Sequence, residues 1–405
     1  MLKMIDAEKA LELVLDNVSA LDEIEIPLSQ ALGYTLAEPI HSDRDYPPFN
    51  RAMMDGFAVR LKDAGQRVPV EGLVAAGEVS KQTVRDGSCL EIMTGASCPE
   101  GTEAVVQYEL TDRDNGNVQL PTDIKPRMNI AGKGAECASG DLVLDTHDEI
   151  TPLATAVLAT FGKENIKVVR RPSITVITTG DEILDSHEEM ASGKIRNSNG
   201  PMLVALARQS GLSDINSYNV GDTEDELRKQ LIEAEQSDII VLSGGVSMGK
   251  FDIVPKILAD LGVELIFNRV KQKPGKPLLF GKKGSRLYFG LPGNPLACHM
   301  CFHRYLSPVI CKIQAKPCIS VSRPGILQED IMVKGSRLMF QLVRIEESGG
   351  SGVKIFPLKG RGSADIFAPA HANGYISLVP GKEYSAGTSI EFEYTGVRRW
   401  RNSHI

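Results

Sequence analysis

The residues best suited to chemistry fall in a few short stretches. Residues 243–249 read SGGVSMG, after an apolar run at 238–242 and before a helical pattern through Ile257, Leu258 and Leu261. Asp252 is expected to open that helix, with Pro255 in its first turn. A strand, a glycine loop and a helix start together make an anion cradle. Backbone N–H groups point outward, the dipole favours negative charge, and glycine lets a phosphate approach the main chain. Ser243, Gly244, Gly245, Ser247 and Gly249 are the binding residues this pattern offers. A second set is basic: Lys273 and Lys276 in KPGKP act as point charges on phosphate or another oxyanion. A third is acidic: carboxylates such as Glu182 and Asp222 hold Mg2+, which keeps several waters and bridges phosphate oxygens. Upstream, Asp43, Asp45 and Asp55 lie on a loop-like stretch around Pro47 and Pro48, and carboxylates on an ordered loop suit a metal or substrate hydroxyls. Thr94 ends a strand-like run and offers a hydroxyl to a ligand.

These residues need a frame. From residue 173 strand-like segments (174–178, 215–220, 238–242, 263–267, 277–280, 287–289) alternate with helical ones. The helices are expected at 201–208, after a capping box of Thr223 and Glu226, and from Asn294 to about Lys312. Such alternation implies βαβ units and a mostly parallel sheet, with ligands beyond the carboxyl ends of its strands. The residues just past those ends are Thr179, Gly180, Asp181 and Glu182, then Gly221 and Asp222, then the glycine loop, then Pro292, Gly293 and Asn294. The KPGKP turn precedes a strand and is expected to close over the same rim.

The flanks read differently. Residues 6–19 carry an amphipathic helix pattern that Asp6 is expected to cap. Residues 43–139 show short alternating runs without helical period, a small β domain. A helix begins at Pro152, its first position. After 313, short strands at 328–333, 339–346, 353–357, 376–379 and 389–394 suggest a second β domain resembling a barrel. The expected fold class is α/β plus β, in four parts: 1–42 with 140–170, 43–139, 171–313 and 314–405.

At 405 residues the chain exceeds a single core of ~250–300 residues. A net charge of −7 lacks the basic footprint of a nucleic-acid binder. No apolar run reaches the ~18 residues a membrane helix needs, and the acidic N-terminal region does not read as a signal peptide. Seven scattered cysteines argue against a disulfide framework, so the expected setting is cytoplasmic. The cluster CHMCFH at 298–303 looks like a metal-ligand set but falls within one helix, with Cys298 and Cys301 on one face and His299 and His303 on another. Four converging ligands usually come from two chain segments, so buried packing is the expected role.

In order along nearly the whole chain, DYPPFNRAMMDGFAV, EIMTGASCPEGTEAVV, TTGDEI, SGGVSMGKFD, KPGKPLLFG, GLPGNP and GSADIF resemble the molybdopterin molybdotransferases. This is the molybdenum-insertion family, similar to the C-terminal domain of gephyrin. The resemblance implies an elongated, four-part homodimer with an α/β domain shared with molybdopterin adenylyltransferases and a β-barrel-like last domain. It implies that adenylylated molybdopterin and molybdate bind, the phosphoanhydride is cleaved with Mg2+, AMP leaves, and molybdenum enters the dithiolene. A molybdopterin adenylyltransferase would act upstream; neither nucleic acid nor membrane is an expected partner.

Residue by residue, the resemblance implies catalytic roles for Asp55, Thr94, Glu182, Asp222, Lys273 and Lys276. Glu182, Asp222 and Asp252 become candidates for Mg2+ or substrate contacts, and the two lysines for molybdate. Gly180, Asp181, the glycine loop, Pro292, Gly293, Asn294 and Pro295 would flank the pocket. Asp55 and Thr94 would face the α/β domain of the partner chain, so that the active site is shared across the dimer. The chain departs from the family pattern at Glu136, Asn197 and Ala364, where an acidic run, an Asp and a Gly are usual. The alternatives are a molybdopterin adenylyltransferase and a non-catalytic molybdopterin-binding paralogue.

Overall fold

Six strands after residue 173 pair into one sheet in the computed structural model, which describes residues 1–2, 4–77, 81–245, 253–316, 322–348, 352–360, 362 and 364–395. They are β1 (Ile174–Thr179), β2 (Ile215–Val220), β3 (Ile239–Ser243), β4 (Glu264–Arg269), β5 (Pro277–Lys283) and β6 (Arg286–Leu291), ordered β2-β1-β3-β6-β5-β4. Neighbours among β2, β1, β3 and β6 are parallel, while β5 runs antiparallel to both β6 and β4. Every residue of β1 and β3 is buried, as aliphatic runs must be when helices cover both faces of a sheet. Edge strand β2 exposes its polar middle. Alternate strand residues feed two cores. Ile174, Val176, Ile239 and Val241 pack with Leu203 and Ala207 of α1 (Asn199–Gln209). On the other face Ile177, Ile240 and Leu242 meet Leu227 and Leu231 of α2 (Glu224–Ala234) and Ile257 and Leu258 of α3 (Val254–Asp260). Strand order reverses at β1, with β2 on one side and β3 on the other. Such a switch point leaves a crevice beyond the strand ends.

The start of the sheet is locked by one carboxylate. Arg170 donates to both oxygens of Asp238 at 2.8 and 2.8 Å, and Ser173 adds its backbone N–H (2.8 Å) and hydroxyl (2.9 Å). Burial pushes the Asp238 carboxyl up, but Arg170 and Ser173 outweigh it and hold it below the usual range. A depressed folded value means stability that is present above the unfolded value and lost as pH falls through the folded one. Asp238→Ala is expected to lower the unfolding free energy by roughly 2–3 kcal/mol. That is less than the ~3–5 of a fully buried pair, because water reaches Arg170. The urea midpoint should fall with an unchanged slope.

The helix expected from Asn294 runs as α4 (Pro295–Cys301), a π turn (Phe302–Leu306) and α5 (Ser307–Ile313). Periodicity gave no sign of the π turn, which lengthens one repeat. Ala7, Ala10 and Val14 of the N-terminal helix Ala7–Asp16 join the same core as Val309 and Ile310. Asp6 stands at its N-cap but makes no side-chain cap bond, contrary to expectation; its carboxylate lies 3.3 Å from the Lys271 ammonium. Thr223 does cap α2, accepting from the Glu226 N–H at 3.4 Å.

Cys298 and Cys301 are fully buried, and burial drives the Cys298 thiol up to about 12. His299 and His303 pack ring to ring, centroids 4.5 Å apart, with burial pushing them down to about 4 and about 3. Both rings therefore stay neutral in the fold while the unfolded chain protonates near 6.5. Stability is complete above that value and falls as pH drops below it, by roughly 2 kcal/mol per histidine between pH 7 and 5. Urea titrations at those two pH values should show this loss, and a His299→Gln/His303→Gln variant should flatten it.

Five strands after residue 322 close into a barrel: Leu338–Ser348, Gly352–Pro357, Arg323–Leu327, Ser389–Tyr394 and Gly374–Leu378, the last pairing back with the first. The expected strand at 328–333 is a correction: only Ile331–Met332 is extended there, and Arg323–Leu327 forms a barrel strand instead. Pro324 and Gly325 disguised that strand. Gln272 and Lys273 add a short parallel pairing to Leu338 and Met339, tying the lysine turn to the barrel.

The chain divides into two compact units. The first holds residues 1–37, 149–151 and 166–405, and so both the parallel sheet and the barrel. The second, residues 38–148 and 152–165, carries a mixed six-stranded sheet and the helix Pro152–Thr160. In that sheet Gly56 stands opposite Ile92, so Asp55 leaves its strand near Thr94 and bonds to it. Among the described residues no helix is long and apolar enough to cross a membrane.

Candidate functional site

A cavity of about 1050 Å³ opens beyond the carboxyl ends of β1, β3 and β6. Thr179 at the end of β1 with Gly180 after it, Ser243 at the end of β3 with Gly244 and Gly245 after it, and Pro292, Gly293 and Asn294 after β6 all line it. Gly244 has φ +102°, and a Cβ there would stand 2.5 Å from the Thr179 carbonyl oxygen. Only glycine admits that approach, so the cradle is built from main chain. Asn199, at the start of α1, ties two loops together: its Nδ2 donates to Ser243 Oγ at 2.8 Å and to the Gly293 carbonyl at 2.7 Å.

One wall is acidic. Glu182 and Asp222 line it, and Asp222 is linked to Asp181 in both directions: the Asp222 N–H donates to Asp181 Oδ1 at 3.0 Å, the Asp181 N–H to Asp222 Oδ2 at 3.4 Å. Burial raises the Asp222 carboxyl, and the negative charges of Asp181 and Glu182 push the same way. Basic side chains line the same cavity. Lys273 and Lys276 are exposed, and no ion pair engages either among the described residues. Their turn is held from beneath. Gln272 donates to the Gly275 carbonyl at 3.1 Å and accepts from Tyr305 in the π turn. Gly275 sits so close to Cys301 that a Cβ would lie 2.6 Å from its sulfur. The barrel region adds Lys334, Arg337 and Lys359 to the lining, Lys359 being paired with Glu329 at 2.6 Å. Arg337 also donates to the Gln272 carbonyl at 3.3 Å.

The comparisons agree on one family. Three family models match in order: the MoeA N-terminal region (domains I and II) over residues 5–162, a probable molybdopterin-binding domain over 175–312, and the MoeA C-terminal region (domain IV) over 324–394. A Staphylococcus epidermidis protein named molybdopterin molybdenumtransferase is 34% identical, covering 96% of this chain and 94% of its own. Its namesake in Staphylococcus aureus is 33% identical, covering 96% of each. The crystal structure of a molybdopterin biosynthesis MoeA protein from Pyrococcus horikoshii superposes with TM-score 0.81 at 26% identity, over 96% of this chain and all of that one. The chain belongs to the molybdopterin molybdenumtransferase family. It has the multidomain MoeA-like fold, and the family is one of transferases in molybdenum-cofactor biosynthesis.

Of the residues expected to act in this molybdenumtransferase fold, the cavity gathers Gly180, Glu182, Asp222, Ser243, Gly244, Gly245, Lys273, Lys276, Pro292, Gly293 and Asn294. Asp181, which is bonded to Asp222, and Pro295, the first residue of α4, are not among its lining residues. Ser247, Gly249 and Asp252 lie outside the described residues. Asp55 and Thr94 form a pair in the second unit, where Asp55 Oδ1 accepts from the Thr94 N–H at 2.6 Å and its hydroxyl at 2.8 Å. Those bonds hold the Asp55 carboxyl below its ordinary value.

Two of the departing positions have local duties. Glu136 meets Arg51 at 2.5 Å. Asn197 accepts from the Gly200 N–H at 2.9 Å and donates to Thr178 Oγ1 at 2.8 Å, closing the start of α1. Sequence reasoning placed Thr179 at the rim without giving it a role, and missed Asn199, although it sits at the start of a helix already singled out. It also missed Lys334, Arg337 and Lys359, whose only signal was positive charge.

Proposed function

We propose that this chain inserts molybdenum from molybdate into adenylylated molybdopterin and releases AMP. The carrying observation is one cavity lined by a main-chain glycine cradle, by the carboxylates Glu182 and Asp222, and by the cations Lys273, Lys276, Lys334 and Arg337. In this reading the Gly244–Gly245 turn takes the phosphate end of the substrate, where the absence of side chains lets oxyanions reach the main chain. Lys273 and Lys276 take molybdate, a tetrahedral dianion that point charges suit. Insertion forms two Mo–S bonds as one oxo group leaves as water, carrying away both dithiol protons. Water enters the phosphoanhydride to give AMP and the phosphate of molybdopterin.

The donor set fits Mg2+. The described residues contain no group of three or more metal ligands, yet Mg2+ needs only one or two carboxylates beside substrate phosphate and its own waters. Crowding of Asp222 by Asp181 and Glu182 is a charge excess that a cation relieves. Glu182 and Asp222, with Asp252, would hold it. When bound, it supplies neutralisation of the phosphoanhydride oxygens. Asp55 and Thr94 are assigned to the cavity of a second copy across a homodimer, a role that suits their exposed neighbours Met53 and Met54. A molybdopterin adenylyltransferase supplies the substrate.

The test is AMP released from adenylylated molybdopterin by the purified chain, with and without molybdate, and with EDTA. Release that needs molybdate and falls with EDTA is expected. Pyrophosphate formed from ATP and molybdopterin, or no AMP under any condition, would overturn the reading.

A further inference from the structure

We propose that Asn199 reads a neutral hydrogen-bond donor on the bound ligand and so sets which way the ligand lies in the cavity. This rests on the function proposed above. Asn199 is 9% exposed and lines the cavity. The Gly293 carbonyl, 2.7 Å away, can only accept, so the nitrogen end of the amide must face it. Ser243 Oγ, which donates onward to the Pro292 carbonyl, takes the second amide hydrogen. The orientation of the side chain is thereby fixed, and Oδ1 is the end left over. Among the described residues that oxygen is buried and has no partner.

A buried acceptor without a donor is rare in a folded protein and marks a place for one. Thr179 Oγ1, 5% exposed in the same cavity, is also buried and has no partner among the described residues. The glycine cradle and the lysines of the same cavity suit negative charge. Ionised phosphate and molybdate have acceptors only and cannot satisfy Asn199 Oδ1. The group that meets it must therefore be an N–H or O–H on a neutral part of the ligand. An adenylylated pterin offers these in two places, the amide–amine edge of the pterin ring and the ribose hydroxyls. Asn199 is a positioning residue: it touches the part of the ligand that does not react and holds the two loops that carry the phosphate cradle.

The affinities of the intact wild-type chain, Asn199→Ala and Asn199→Asp would be measured by calorimetry for molybdopterin, AMP and inorganic pyrophosphate, with melting temperature as the check on folding. Asn199→Ala should weaken the ligand that carries the donor about tenfold more than it weakens pyrophosphate, equivalent to ~1.4 kcal/mol, the pyrophosphate loss reading the cut loop ties alone. An excess loss confined to molybdopterin assigns the pterin edge; one confined to AMP assigns the ribose. Asn199→Asp keeps an acceptor oxygen and should preserve the affinity ratio of that ligand to pyrophosphate even as its charge weakens both. Equal losses for all three ligands in Asn199→Ala, or no loss, would overturn the proposal. Failure of the wild type to bind any of them would instead sink the functional reading on which it stands.

Discussion

Asp222→Asn is expected to reduce molybdate-dependent AMP release by about a hundredfold or more while leaving the protein as stable as its parent or slightly more so. The loss in rate follows from removing one charge from the acidic wall, where a single electrostatic group is worth about 10²–10³-fold. The gain in stability follows from the sign of the pKa shift. Burial, with the negative charges of Asp181 and Glu182, raises the Asp222 carboxyl above its ordinary value. A raised carboxyl means that ionisation opposes folding at every pH above the unfolded value, so the uncharged amide removes a penalty at neutral pH. Function and fold thus pull in opposite directions at this position, a common price of a charged site. The measurements are AMP release against molybdate concentration and the melting temperature of both proteins at pH 7. A variant that is inactive because it is unfolded would show both signals falling. Retained release in Asp222→Asn and in Lys273→Ala would remove the acidic and basic walls from the chemistry altogether.

Much of the frame that makes this test possible was readable from residue types. Runs such as 239–242 are apolar on both faces, which suits a strand covered by two helix layers, and β1 and β3 are buried at every position. Once those strands are parallel, the residues after them share one rim, so Gly180, Gly244 and Gly293 converge although they are far apart in the chain. The rest depended on pairings that no local pattern encodes. Lys334 and Arg337 reach the cavity because Gln272 and Lys273 pair with Leu338 and Met339, two backbone rungs with no sequence mark. The barrel strand Arg323–Leu327 hid behind Pro324 and Gly325, residues that normally end strands. Asn199 went unnoticed because an Asn at a helix start suggests capping, whereas its side chain reaches across to the loops after β3 and β6. Asp6 shows the reverse: it had the residue type and position of a cap, but its side chain makes none and its carboxylate lies beside Lys271.

Gly244→Ala is expected to cost roughly 1–3 kcal/mol from its backbone conformation alone and to abolish phosphate binding in the cavity. At φ +102° an L side chain is strained whatever the surrounding space, and the space here is closed as well. The new methyl would stand 2.5 Å from the Thr179 carbonyl and 2.9 Å from the Thr179 hydroxyl, so the turn after β3 would have to lift away from the end of β1. Those two strands flank the switch point, and the crevice between their ends is what makes room for an oxyanion. Gly293 provides the control. It lines the same cavity, yet the nearest atom to a Cβ there is Gly244 Cα at 3.8 Å, an ordinary contact. Gly293→Ala should therefore keep the urea midpoint of the parent. Gly244→Ala should lower that midpoint and lose pyrophosphate binding by calorimetry under conditions where it remains folded. If Gly244→Ala binds pyrophosphate like the parent, the main chain after β3 is not the cradle, and the phosphate end of the substrate belongs on the lysine wall instead.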